Sequence, residues 1–315
     1  MNKNTRGFVT VATGDYFCYL AENLYRSYSL FSSHKYPLYV ITDAAGKERI
    51  NNLVDGCVVM EKPNYNFLDK IAVYDNTPFD ETIFLDADMN ITRDISNLFD
   101  LFEENQSDIS CIGNVKDITD KQRPIHFTDK TIEILGLKQY FSFGGGIFYF
   151  RKSVKASQCM EYIKNELIPN YHDWGLLCQG TKLSDEPLME IGMLTHKFKP
   201  LSSEQDIIKY HFDMMKSLKW DLQKKECSFV WWENRIVHPA IIHYGNANTR
   251  SIKYINYNLK VKGLYEQQSK IVVVKNMIVS DVKFLLPRWN ENIREAVKKV
   301  LPDSVVRKVA KLLHG

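Results

Sequence analysis

The chain opens with a short run of bulky residues, GFVTVAT (7–13), in which β-branched and aromatic side chains follow one another without helical spacing. Such a run predicts a buried strand. After Asp15 the period changes. Phe17, Leu20, Ala21, Leu24 and Tyr28 recur three and four residues apart, so a helix with one apolar face follows, with Asp15 placed as its N-cap. The alternation then repeats: YPLYVITD (36–43) and GCVVMEK (56–62) read as strands, and the polar AAGKERINNLV between them reads as a helix. FLDKIAVYDN (67–76) predicts a short helix and ETIFLDAD (81–88) the strand after it. Strands and helices alternating over the first ninety or so residues predict a parallel sheet covered on both faces.

Further along, SDISCIGNV (107–115) reads as a strand and the polar stretch from Lys116 to Lys130 as a loop. FSFGGGIFYFRKS (141–153) carries three consecutive glycines into an aromatic strand, a pattern that lets backbone approach something closely. A helix is expected over 154–167, another from LSDEPLMEIGML (183–194), and a late strand in RIVHPAIIHYGNANTR (235–250) ends at His243. No internal repeat or low-complexity linker interrupts the chain. Its last stretch differs: 283–315 holds eight Lys/Arg and three acids, a net +5 in a chain whose total is +3. Trp289, Ile293, Val297 and Val300 share one helical face, and beyond Pro302 so do Val305, Val306, Val309 and Leu312. Two basic amphipathic helices of this kind suit an anionic membrane surface, the main domain or a partner chain.

Composition changes this picture little. With 44% hydrophobic and 25% charged residues among 315, the chain is an ordinary globular protein with enough length for a large core. The small net charge, with basic residues spread along the chain, offers no reason to expect a nucleic-acid partner. Six cysteines at 18, 57, 111, 159, 178 and 227 form no CxxC and no regular spacing, so they are expected to be free thiols in a reducing compartment. The N-terminus has no signal-peptide pattern and no apolar stretch is long enough to span a bilayer, so a cytoplasmic location is expected, peripheral at a membrane if the tail binds one.

The informative stretch is ETIFLDADMNITRDI (81–95), a core strand that runs straight into Asp86 and Asp88. In parallel sheets ligands collect at the carboxyl ends of strands. Two carboxylates one residue apart at such an end favour a hard cation such as Mg²⁺ or Mn²⁺, which keeps positions open for phosphate oxygens. A solvated turn is the plain alternative. A haloacid-dehalogenase-type phosphohydrolase also places DxD after an apolar strand, with the first Asp as nucleophile. That motif normally continues DxDxT, however, whereas Asn90 stands here at the hydroxyl position.

TIFLDADMNITRDISNLF resembles the DxD signature of nucleotide-sugar glycosyltransferases of the GT-A fold, most like glycosyltransferase family 8, which includes glycogenin-like enzymes and bacterial lipopolysaccharide galactosyl- and glucosyltransferases. FVTVATGDYF, YPLYVITD, FGGGIFYFRKS, SDEPLMEIG and HPAIIHYGNANTR are similar to further family elements in the same order. The resemblance covers about 7–250 and implies a Rossmann-like α/β fold with a mixed, mostly parallel sheet flanked by helices. It also implies a metal held by Asp86, Asp88 and His243 that carries the diphosphate of a UDP-sugar. A core role for His243 is the alternative.

By the same resemblance Val11, Ala12, Thr13 and Tyr16 meet the base and ribose, although Tyr16 could equally serve helix packing. Lys70 faces the donor sugar or phosphate, or is a solvated lysine. Ala87, Gly144, Gly145, Gly146, Gly245 and Arg250 complete the expected donor site. Asp185 and Glu186 are the catalytic expectation, because a carboxylate beside the anomeric carbon can stabilise an oxocarbenium-like state, form an adduct or take the acceptor proton. An acidic pair serving only the helix dipole is the alternative. The family commonly has Gln at the position of Glu186, Asn at that of Gly144, and a late lysine that is absent here.

The expected organisation is a transferase domain over 1–265 and an extension over 266–315. The expected function is divalent-metal-dependent transfer of a hexose from a UDP-sugar, with retention, to a glycan, a lipid-linked saccharide or a protein. A phosphohydrolase and a non-catalytic sugar-binding protein on a degenerate transferase scaffold are the alternatives.

Overall fold

In the computed structural model the described residues are 5–120, 128–176, 178–179, 182–202, 207–210, 217–231, 234–245 and 248–285. The alternating opening folds as its periodicity predicts: β1 (Arg6–Ala12), α1 (Asp15–Phe31), β2 (Leu38–Thr42), α2 (Ala44–Ile50) and β3 (Gly56–Val59). The predicted 67–76 helix is two single turns, α3 (Leu68–Ile71) and α4 (Val73–Asn76). They lead into β4 (Glu81–Leu85), which is buried at every position. After β5 (Met89–Ile91) come α5 (Leu98–Glu104), β6 (Ile109–Asp117), α6 (Asp129–Leu135), β7 (Gln139–Arg151), α7 (Val154–Tyr162) and α8 (Asp185–Thr195). The loop expected from Lys116 to Lys130 is therefore shorter at both ends, since β6 runs to Asp117 and α6 starts at Asp129. Its residues 121–127 lie outside the described residues.

Among the described residues six strands form the main sheet in the order β3-β2-β1-β4-β7-β6. The first four are mutually parallel, and β7 runs antiparallel to both β4 and β6. Consecutive residues of β1 feed the two faces. Phe8 meets Tyr28 of α1 and Phe99 of α5 edge-on at 5.4 and 5.2 Å. Val9 instead belongs to the apolar cluster that includes Ala156, Cys159, Leu188 and Ile191 of α7 and α8. Both faces of the parallel half are thus covered, as near-continuous apolar strands require.

The helix-start expectation needs one correction. Gly14, with φ +81°, occupies the cap of α1, and Asp15 is the first helical residue, exposed and paired with Arg49. The Gly14 N–H donates to Asp43 Oδ2 at 2.8 Å while Asp43 Oδ1 caps α2 through Gly46 N–H at 2.7 Å. One carboxylate from the second β-to-α turn therefore satisfies amides of both turns, and no side chain at position 15 is needed for that.

A small second sheet places the late strand. Ile241–His243 runs antiparallel to β5 and parallel to Ile208–Tyr210, with His243 opposite Met89. Two compact units divide the chain, one running through Tyr210 and from Ser217 to His243, the other containing the chain from Tyr244 onward. The second unit contains α9 (Ile252–Tyr265) and α10 (Lys270–Leu285), antiparallel-packing neighbours tied by Asn256, whose side-chain amide donates to Asp281 at 2.7 Å. The amphipathic pattern expected after 285 lies outside the described residues. Among the described residues no helix is long and apolar enough to cross a membrane. Cys18, Cys57, Cys111, Cys159 and Cys227 are free thiols.

Candidate functional site

Strand β4 ends at Leu85, and the chain turns so that Asp86 and Asp88 can face inward together. The β5 register then brings His243 beside them: His243 Nε2 lies 3.0 Å from Asp88 Oδ1 and 3.4 Å from Asp86 Oδ2. A slip of one residue in that pairing would turn His243 to the opposite face. One ligand atom from each of the three residues falls within 4.8 Å of the others. All three side chains are nearly covered, with 11%, 14% and 11% of Asp86, Asp88 and His243 exposed.

Lys70 of α3 approaches from the other side. Its Nζ lies 2.7 Å from Asp86 Oδ1 and 3.5 Å from Asp185 Oδ2, on the first turn of α8. Asp86 is thereby split between two partners, with Oδ1 held by a lysine and Oδ2 turned to the histidine. Three carboxylates are gathered around one lysine and one imidazole. Even with the imidazole protonated the formal balance is negative, an arrangement that is stable when a further cation neutralises it.

The titration behaviour follows the same competition. Burial pushes Asp86 up, against the pull of Lys70, and Asp88 adds to the push. Burial raises Asp185 as well, because Lys70 only partly compensates it. Asp88 is held below the usual range: burial opposes its charge most strongly, but the hydrogen bond and charge of His243, together with Lys70, outweigh that cost. For His243 burial disfavours the imidazolium, and Asp88 more than restores it, so the group is raised. Lys70 is likewise disfavoured by burial and held charged by Asp185 and Asp86. The donor set suits a divalent metal, with two hard carboxylate oxygens and one imidazole nitrogen converging while Lys70 engages the other oxygen of Asp86.

The glycine run of β7 is the seam of this site. Between Cys111 opposite Phe148 and Gly113 opposite Phe143, the residues 144–147 stand against Ile112 alone, so the glycines form an irregular bulge in a core strand. Gly146 C=O accepts from Asp86 N–H at 2.9 Å, which ties the bulge to the acidic strand end. Gly145 N–H donates to Glu186 Oε1 at 2.7 Å. Neither position has room for a side chain. A Cβ on Gly146 would stand 2.7 Å from His243 Nδ1, and one on Gly145 would stand 2.9 Å from Glu186 Oε1. The close approach expected from the three glycines is therefore an approach of the site's own side chains.

The structure brings Asp86, Asp88, His243, Lys70 and Asp185 into one cluster and joins Glu186 to it through Gly145 and Gly146. Ala87 is buried between the two aspartates at 6% exposure. At the end of β1, Val11 is half-buried, Ala12 C=O accepts from Thr42 Oγ1 at 2.6 Å, and Thr13 Oγ1 donates to Asp69 Oδ2 at 3.0 Å. Tyr16 is half-buried with its ring edge-on to Phe17 at 5.7 Å. Gly144 is half-buried in the bulge. Gly245, with φ +67°, and Arg250, which closes a short turn, belong to the second unit.

Two residues with a part in this arrangement went unremarked in the sequence. Asp69 is 1% exposed and accepts from Thr13 Oγ1, Asn64 N–H, Asn64 Nδ2 and Tyr65 N–H, which pins the turn before α3 to the end of β1. Glu190, fully buried, accepts from Phe141 N–H, so α8 grips β7 through Glu186 and Glu190 one turn apart. A carboxylate four residues after Glu186 inside the apolar EPLMEIGML was the visible signal.

No protein-family model matches the chain, and no curated protein matches it in sequence. Solved structures do match its fold. The bifunctional glycosyltransferase WbbM in its apo form aligns over 87% of this chain and 52% of its own, at 14% identity and a TM-score of 0.56. This chain therefore spans about half of WbbM. The galactosyltransferase LgtC, solved with donor and acceptor sugar analogs, aligns over 83% of this chain and 95% of its own, at 12% identity and TM-score 0.52. Mouse xyloside xylosyltransferase 1, in its apo form, aligns over 78% and 99%, at 11% identity and TM-score 0.50. The chain has the α/β GT-A fold, with a mixed, mostly parallel sheet between helices.

Proposed function

We propose that this chain is a glycosyltransferase that moves a hexose from a UDP-sugar to a glycan, a lipid-linked saccharide or a protein, using Mn²⁺ or Mg²⁺. The observation that carries this reading is the convergence of Asp86, Asp88 and His243 within 4.8 Å at the carboxyl end of a GT-A sheet. Asp86, Asp88 and His243 would hold the metal, and Lys70 orients Asp86 through Oδ1. When bound, such a metal neutralises charge developing on the departing diphosphate.

We assign the other residues by the family resemblance. The end of β1, with Val11, Ala12, Thr13 and Tyr16, receives base and ribose. The Gly144–Gly146 bulge seats Glu186 and His243 at the donor site. Glu186 is the carboxylate at the anomeric carbon. Gly145 N–H fixes its Oε1, and an oriented carboxylate stabilises an oxocarbenium-like state without reorganising. Asp185 acts through Lys70. Retention of configuration follows from the family resemblance. The basic segment 283–315 makes peripheral contact with a membrane that carries the acceptor.

The phosphohydrolase reading has less support, because the sheet has an antiparallel β7 beside the acidic strand and its structural matches are sugar transferases. The test is release of UDP from a panel of UDP-sugars with and without Mn²⁺, alongside calorimetry of UDP binding. Metal-dependent UDP binding and slow donor hydrolysis are expected. UDP binding indifferent to metal, or phosphate release from monoesters in place of UDP release, would overturn the reading.

A further inference from the structure

Helix α10 presents an unusual surface. Its inner side is committed to α9: Ser280 Oγ donates to Asn256 Oδ1 at 2.8 Å, and Gly263 of α9 makes room for Val273. Its outer side is apolar. Ile271 is 81% exposed, Val274 53% and Ile278 59%, and their i, i+3, i+7 spacing makes them one stripe along the helix. Val272, at 42% exposure, widens it. Lys270 and Lys275, both exposed, project on either side of the stripe. Isolated exposed apolar residues need no explanation, but a stripe of branched side chains bordered by lysines has the pattern of a surface that meets a partner.

Charge identifies that partner. From Ile252 to the C-terminus the chain holds thirteen Lys/Arg and five acids, a net +8, although the whole chain is only +3. The segment 286–315 alone holds seven basic and three acidic residues. If that segment covered the stripe, its basic residues would be set against Lys270 and Lys275. A second copy pairing through the same helix would oppose those lysines to themselves. An anionic bilayer complements both features: the headgroups attract the lysines, whose long stems let the ammonium groups rise while the branched side chains enter the acyl boundary.

We propose that α10 lies on an anionic phospholipid surface, with Ile271, Val274 and Ile278 inserted and Lys270 and Lys275 on the headgroups. This moves the membrane contact into the folded second unit, ahead of the basic segment 283–315. It stands independently of sugar transfer, which UDP release tests separately.

The experiment is co-sedimentation of the full chain with phosphatidylcholine vesicles, with and without phosphatidylglycerol. The wild-type chain is expected to sediment only with the anionic vesicles, and less so as salt rises. The combined Ile271→Gln, Val274→Gln and Ile278→Gln variant changes only exposed positions and should fold and bind UDP as before. Its affinity for anionic vesicles is expected to fall about tenfold or more, and Lys270→Gln with Lys275→Gln should also weaken binding. Unchanged sedimentation of the triple variant overturns the proposal, as does failure of the wild-type chain to bind. A lipid-free dimer that the triple variant dissolves on size exclusion also overturns it, by assigning the stripe to a second copy.

Discussion

Two acidic regions of this fold share composition and burial but differ in what surrounds them. Asp69, before the sheet's acidic end, accepts four hydrogen bonds from neutral donors, and its two oxygens are divided evenly between Asn64 on one side and Thr13 with Tyr65 on the other. Asp86 and Asp88 are met by charged groups, Lys70 and His243, and by each other. A carboxylate satisfied by local amides and hydroxyls is a structural tie, since its donors have nothing better to do. Carboxylates balanced against a lysine and an imidazole keep a charge demand that a ligand can meet. Burial alone does not separate the two cases; the identity of the donors does.

Substitution at each region should have opposite consequences. Asp88→Asn removes a metal ligand, so UDP-sugar turnover should fall about a thousandfold, while the melting temperature shifts by only a few degrees. Retention of metal-dependent UDP binding in that variant would move the metal site elsewhere. Asp69→Ala leaves four donors without their acceptor in a covered position and should cost about 3 kcal/mol in urea unfolding. Where the protein is still folded, metal binding should persist. Loss of metal binding at unchanged stability would reverse the assignment of the two regions.

The glycine bulge allows a finer cut within the charged region. Gly146→Ala would drive a methyl against His243 and should weaken metal binding about tenfold to a hundredfold. Gly145→Ala would displace Glu186 and should lower turnover with metal affinity intact. If both variants lose the same property, Glu186 and the metal do not have separate roles.

A smaller effect concerns Asp94, a structural carboxylate like Asp69 but near the surface. Burial opposes its charge, yet amides of Ser96 and Ser33 and the hydroxyls of Ser32 and Ser96 hold it down at about 2. Its value in the folded chain is below its ordinary one, so its contribution is complete above about pH 4 and is lost as pH falls from about 4 towards 2. Asp94→Asn should flatten the decline of melting temperature over that window. A decline as steep as wild type would remove Asp94 from the acid response.

The parallel strands and α1 were legible because their side chains repeat with the period of their geometry, and Asp86 and Asp88 because two charges at the end of a fully buried strand are conspicuous. The cap of α1 was misread at Asp15, since the carboxylate that satisfies that turn is Asp43, from the following strand's end. The glycine run announced a close approach but could not name Glu186 and His243 as what approaches. Along the sequence Lys70 could equally be a solvated lysine; in the fold it turns to Asp86 and Asp185, while its neighbour Asp69 turns to Thr13.

By itself, then, the sequence determined the alternation of strands and helices, the position of an acidic strand end and the concentration of positive charge near the C-terminus. All three are written in neighbouring residues. The tertiary structure decided which acids are ties and which form a site, where the three glycines are needed, and which side of α10 stays apolar and uncovered by the described residues. Each of these depends on groups within about 3 Å to 4 Å, the range over which hydrogen bonds and ion pairs act. For the site, those groups come from distant segments brought together by the β5 register and the β7 bulge; for α10 they come from α9.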